Sequence, residues 1–268
     1  MISDNPLETC RSAMVSVLYI LVTLLLPAAI RGGDNHSEKI DLFLQSHEQF
    51  RQGEELFSRK QMHKAAACLQ RCLDLFPQHD RAHFRLAEIR LKQRRLAEAE
   101  IHIRAAKRSF LESREWYNSS FRRYLDELRG KQMDNRLRLS ILGEQNATAS
   151  CGSRRAIFYK ANAIRSQDSA IDAILAAFPP REKEVPAEYH YIHGNIHFLS
   201  GRHDPALIEY QRALEKNPEH GYACNNLANL YFLRKQYDRA REYLDRAEQH
   251  GARINPGFRE ALQKALAD

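Results

Sequence analysis

Small and apolar positions recur along this chain with a fixed long period. Gly194 is followed by Ala206, Ala213 and Pro218, and Ala228 by Ala240, Ala247 and Ala252 at the same offsets, one period of about 34 residues later. The same spacing opens the chain's first half: Gly53 leads to Ala65, Cys72 and Pro77, and Ala87 to Ala99 and Ala106. Large apolar residues fill between these small ones at helical spacing, so each period predicts two antiparallel helices. The small residues let the pair approach closely, and a proline stops the second helix. Such a unit cannot bury its apolar face alone and must stack on its neighbours. The predicted repeats are 46–79, 80–113, 187–220 and 221–254, in two modules, 46–113 and 187–254. Asn255-Pro256 then reads as a helix start, with Phe258, Leu262 and Leu266 at helical spacing, which predicts a capping helix over 255–268.

Between the modules the register breaks, because Gly194 lies 107 residues after Ala87. The pattern there, 114–186, reads as an irregular helical connector, with a degenerate repeat as one possibility and a hinge between rigid modules as the simplest account. Tyr117, Phe121, Tyr124, Leu125 and Leu128 suit a helix to about 130. Leu137, Leu139 and Ile141 alternate with polar residues and suit a short strand, 143–153 reads as a loop, and two helices follow over 154–166 and 169–178.

Residues 13–30 carry no charge, and 18 residues at ~1.5 Å each reach ~27 Å, close to the hydrocarbon thickness of a bilayer. After a tail at 1–12 they predict a transmembrane or signal-anchor helix, preferred over a cleaved signal peptide, with 31–45 as linker. Charges flank the span almost evenly, so orientation stays open; export of the repeats (to a periplasm in a Gram-negative cell) is the favoured side and the cytoplasm the alternative. The net charge is +7, and 81–138 alone hold 16 Lys/Arg against 8 Asp/Glu. A solvated helix face explains such a run, with an acidic peptide or anionic lipid as the functional alternative. No nucleic-acid module accompanies it.

The segments Tyr191-Ile192-His193-Gly194-Asn195, Pro205-Ala206, Tyr210-Gln211-Arg212-Ala213-Leu214 and Asn225-Asn226-Leu227-Ala228-Asn229-Leu230-Tyr231 resemble the tetratricopeptide repeat family. The resemblance implies an all-α solenoid of helical hairpins whose first helices line a concave groove for extended peptides or partner helices. Carried over, the groove candidates are Tyr191, Asn195, Phe198, Asn225, Asn226, Asn229 and Phe232, with Phe50, Glu54, Phe57, Phe84, Glu88 and Lys92 on the more charged first module. Two unlike surfaces imply two partners or one long one. Asn195 and Asn226 resemble part of the carboxylate clamp of some family members, but Tyr191 stands where that clamp uses a lysine.

The chain offers no phosphate loop, nucleophile elbow, HExxH or CxxC, so neither an enzyme nor a cofactor is expected. His190, His193 and His197 share one helix face. Their slots are packing slots, and packing is the preferred reading over zinc, copper or a proton-responsive joint, since no carboxylate stands nearby unless Glu188 turns inward. The resulting expectation is a membrane-anchored scaffold for a protein or peptide partner, an assembly factor or chaperone for an envelope complex. The alternatives are a histidine-based metal- or pH-responsive regulator and a structural spacer.

Overall fold

The structure, a computed structural model, describes residues 35–178 and 183–267, and all its regular elements there are helical. They are α1 (Asn35–Ser58), α2 (Met62–Leu75), α3 (Asp80–Lys92), α4 (Leu96–Trp116), a π turn (Tyr117–Phe121), α5 (Arg122–Thr148), α6 (Cys151–Ala177), α7 (Ala187–Leu199), α8 (His203–Lys216), α9 (Gly221–Leu233), α10 (Tyr237–Gln249) and α11 (Pro256–Ala267). Two compact units result. One holds the repeats, 42–114 with 183–267; the other holds 35–41 with 115–178. The apolar stretch 13–30 lies outside the described residues, and among those described no helix is long and apolar enough to cross a membrane.

Within the repeat unit, the small residues of the periodic pattern sit where helices touch. Ala65, Ala87, Ala99, Ala106, Ala206, Ala213, Ala228, Ala240 and Ala247 are fully buried. A β-carbon on Gly194 would stand 2.5 Å from Tyr210 Cε1, and one on Gly53 would stand 2.9 Å from Leu69 Cδ2. Pro77 and Pro218 are exposed and act only by stopping α2 and α8. Each repeat turns between its two helices through one left-handed residue: Lys60 (φ 60°), Arg94 (59°), Gly201 (74°) and Lys235 (58°). First helices α3 and α9 start under a histidine cap, with His79 Nδ1 and His220 Nδ1 accepting from Ala82 and Ala223 N–H at 3.2 Å each. At the far end Asn255 Oδ1 accepts from Gly257 N–H at 2.9 Å, and α11 closes the last core with Leu262, Phe258 and Leu266. Asp204 lies inside the first turn of α8 and pairs with Arg234.

The register break is not a hinge. Ala87, Ala99, Ile103, Ala106 and Phe110 of the second repeat share one buried cluster with Tyr189, Ile192 and Ile196 of the third. Phe84 stacks on Tyr189 with ring centroids 4.5 Å apart, and the Tyr189 hydroxyl donates to Asp80 Oδ2 at 2.9 Å. The second and third repeats therefore stack directly, and the intervening segment leaves and re-enters the array.

That segment is regular. Leu111 stands where the first repeat has its stopping proline, so α4 runs on to Trp116 and the helical path continues through the π turn into α5. The strand expected at 137–141 and most of the loop expected at 143–153 are helix, and the two helices expected over 154–178 are one. The alternation misled because Leu137 and Ile141 are exposed residues on the outside of α5, whereas the inward line runs through Tyr124, Leu125, Leu128 and Asn135 at helical spacing. Gln132 Nε2 donates to Asp172 Oδ1 at 2.7 Å and Asn135 Nδ2 to Asp168 Oδ1 at 2.8 Å, which fixes α5 against α6 as a hairpin. Residues 35–45, expected as linker, are the opening turns of α1. No Gly or Pro interrupts them, and Ile40 and Phe43 are buried.

Candidate functional site

The first helices of the third and fourth repeats carry the groove candidates, all of them half-buried. Asn195, Asn226 and Tyr210 form one knot: Asn195 Oδ1 accepts from the Tyr210 hydroxyl at 2.8 Å and from Asn226 Nδ2 at 2.7 Å. Asn226 is thus a strut between repeats, and a carboxylate clamp has no free amide there. Asn229 Nδ2 bonds its own helix at the Asn225 carbonyl, 2.8 Å away. Asn225 donates to Asn226 Oδ1 at 3.3 Å, and its own Oδ1 is buried without a donor among the described residues. Tyr191 leans on His220 (centroids 4.6 Å) and Tyr210 (6.1 Å). Phe198 meets His203, and Phe232 is enclosed by Tyr237 and the capping residue Phe258. Five of the seven candidates, Tyr191, Asn195, Phe198, Asn226 and Phe232, thus hold the array together as much as they face outward.

The exposed apolar residues of these helices are others, unassigned by sequence reading: Tyr222 (53%), Leu199 (41%) and Leu233 (57%). Leu199 follows Asn195 by four residues, Leu233 follows Asn229 by four, and Tyr222 precedes Asn226 by four, so each lies on the candidates' face. The pairing of Leu199 with Leu233 at one repeat length was a usable signal in the sequence. On the first two repeats the corresponding surface is a closed charge cluster. Arg85 binds Glu54 through two nitrogens, Nε to Oε1 at 2.5 Å and Nη2 to Oε2 at 2.7 Å, and also pairs with Glu88; its guanidinium and Lys92 Nζ cover the Phe57 ring at 4.4 and 4.3 Å.

A second cluster fills the joint between the second and third repeats. Glu209 on α8 accepts from Lys107 Nζ on α4 at 2.5 Å and faces His190 Nδ1 at 2.8 Å and His193 Nδ1 at 3.4 Å. Lys107 Nζ lies 3.1 Å from both imidazole nitrogens. An ammonium only donates, so Lys107 donates to Glu209, and each imidazole Nδ1 accepts from Lys107 or donates to Glu209 according to its tautomer. Burial alone would raise the Glu209 carboxyl, but the donors His190, His193 and Lys107, with the Lys107 charge, hold it far below the usual carboxylate range. Burial likewise lowers Lys107. Beside this knot the His193 and His197 rings lie with centroids 4.3 Å apart and planes tilted by 34°, and Glu100 of α4 pairs with Arg202 at 2.6 Å and Arg104 at 2.6 Å. Burial, aided by His193 and Arg202, lowers His197 to about 4. The histidines do occupy packing slots, yet the carboxylates that reach them are Glu209 and Glu100; Glu188 stays exposed.

Cys68, Cys72 and Cys224 are buried free thiols, and burial pushes Cys72 up to about 12, which makes it a packing residue.

Residues 50–110 and 197–266 each match the tetratricopeptide repeat profile. No curated protein matches the chain. Similar solved structures include TTC0263, a thermophilic TPR protein of Thermus thermophilus (18% identity over 83% of this chain and 100% of that one, TM-score 0.36). Another is pilF of Pseudomonas aeruginosa (18% identity, 88% and 87%, TM-score 0.38). A third is YrrB, a TPR protein with an unusual peptide-binding site (16% identity, 81% and 90%, TM-score 0.29). With its periodic small residues buried between the helices of the repeats, the chain carries tetratricopeptide repeats, one set in each half, at 50–110 and 197–266.

Proposed function

We propose that this chain is a non-catalytic scaffold that binds an extended or helical protein segment along the face built by the first helices of its repeats. The observation that carries the reading is the direct stacking of α3 on α7 through Phe84 and Tyr189. It turns the two modules into one surface, charged at Glu54 and Glu88 and amide-rich and apolar at Asn195, Asn229, Tyr222, Leu199 and Leu233. One long partner suits such a surface better than two short ones. Exposed Tyr and Leu supply anchors, and the amides give hydrogen bonds to a peptide backbone. Residues 13–30 would tether the scaffold to a membrane, raising its local concentration there; with the repeats on the extracytoplasmic side, the favoured orientation, the reading is an assembly factor or chaperone for an envelope complex.

A photo-crosslinking amino acid at position 222 tests the binding face against one at Arg241 on the exposed side of α10. The reading expects a discrete protein adduct at 222, absent at 241 and diminished by Leu233→Ser. Equal adducts at both positions, or none at 222, would favour the spacer alternative. Protease accessibility in cells with the outer barrier opened tests the placement: repeats that stay protected until the inner membrane breaks would put them in the cytoplasm.

A further inference from the structure

We propose that Glu100, His193 and His197 form a binding site for a divalent transition metal at the joint between the second and third repeats. One ring nitrogen of each histidine and one carboxylate oxygen of Glu100 lie within 4.8 Å of one another. Ligands about 2.0–2.2 Å from a tetrahedral ion are separated by about 3.3 Å, so an inward adjustment of these side chains by about an ångström closes the set. Both imidazoles are more than nine-tenths buried, at 8% and 6% exposure. Among the described residues His193 Nε2 and His197 Nδ1 have no hydrogen-bond partner, and each such buried polar atom is costly unless something further satisfies it.

The surroundings of His193 suit a metal as that further partner. His193 Nδ1 faces Glu209 at 3.4 Å, and in the tautomer that donates Nδ1–H to that carboxylate Nε2 carries the lone pair a metal needs. A carboxylate behind a ligating histidine orients the ring and raises its basicity, and Glu209 stands in that place, itself held by Lys107 and His190. Two imidazoles and a carboxylate suit zinc or its first-row neighbours, with the remaining position left to water. The competing cations are Arg202 and Arg104, both on Glu100; Arg104 is exposed and Arg202 partly so, and a carboxylate has lone pairs beyond the two they use. The ion would join α4 to α7 and so pin the joint that makes the binding face continuous. The site is independent of whether that face binds a peptide.

The test is calorimetric titration of the full chain with zinc chloride, with cobalt absorption as a second readout of ligand geometry. One zinc per chain is expected. Glu100→Gln and His197→Gln should each weaken it at least about tenfold, while Arg202→Gln, which removes a competing cation, tightens it. Absence of stoichiometric zinc overturns the proposal, as does wild-type affinity in both ligand variants. Weakening by Arg202→Gln as large as that by Glu100→Gln would also overturn it, since the effect would then come from the joint's packing and not from a lost ligand.

Discussion

Tyr189 and Asp80, 109 positions apart, meet at 2.9 Å, the phenol donating to the buried carboxylate at the first turn of α3. That bond crosses the break in the repeat register. Tyr189→Phe removes one charge-assisted donor from Asp80 and keeps the ring stacked on Phe84, and a hydrogen bond to a charged group contributes about 1.5–3 kcal/mol. Urea unfolding should show a loss of about 2 kcal/mol; an unchanged midpoint would mean the bond carries nothing.

Gly194→Ala separates close packing from helix propensity. Propensity alone favours alanine by about 1 kcal/mol. The new methyl, however, meets the Tyr210 ring, which is fully buried and tied to Asn195 and Asn226. Overpacking of this kind costs about 1–3 kcal/mol, so the variant should melt lower. A higher melting temperature would show that the ring has room to retreat.

The periodic signature, the helix pairs and the stopping prolines were all legible in the sequence because each rests on contacts within one 34-residue unit. The joint was not. Glu100, Lys107 and Asp80 find Arg202, Glu209 and Tyr189 only after a hairpin of some sixty residues has been passed over, and no local pattern encodes that return. The α5 strand expectation failed for a related reason. Leu137 and Ile141 lie outside the hairpin seam, and their alternation with arginines mimicked a sheet face. The histidine caps were missed because His is not among the favoured capping residues, although His79 and His220 both follow a stopping proline by two positions.

The inter-helix turns offer a gain in stability. Lys60, Arg94 and Lys235 hold the left-handed conformation that Gly201 holds in the third repeat. That conformation costs a side-chain-bearing residue roughly 1–2 kcal/mol, and glycine's extra freedom in the unfolded chain returns part of the difference. Each substitution to glycine should raise stability by about 0.5 kcal/mol in thermal melts. A drop in all three would show that these side chains contribute more than their backbones cost.

Stability should fall with acidity in two stages. Burial, with Arg81 nearby, lowers His47 to about 4 from an ordinary 6.5. Between those values the unfolded chain binds a proton the folded one refuses, so stability declines as pH drops from 6.5 to 4 and His47 adds nothing further below. Glu209, depressed in the fold, stabilises above the ordinary carboxylate range, and that contribution is lost as pH falls below about 4.5. Chemical unfolding of the His47→Phe protein across this range should show a shallower decline from 6.5 to 4; an identical profile would assign that stage to other groups.

The central claim is that the second and third repeats form one stack in spite of the insertion between them. A double-mutant cycle on Phe84 and Tyr189, each to alanine, tests it most directly in the full chain. Rings stacked at 4.5 Å should show a coupling energy of about 0.5–1.5 kcal/mol. Strictly additive effects would mean that the two repeats do not pack against one another and that the binding face is broken in the middle.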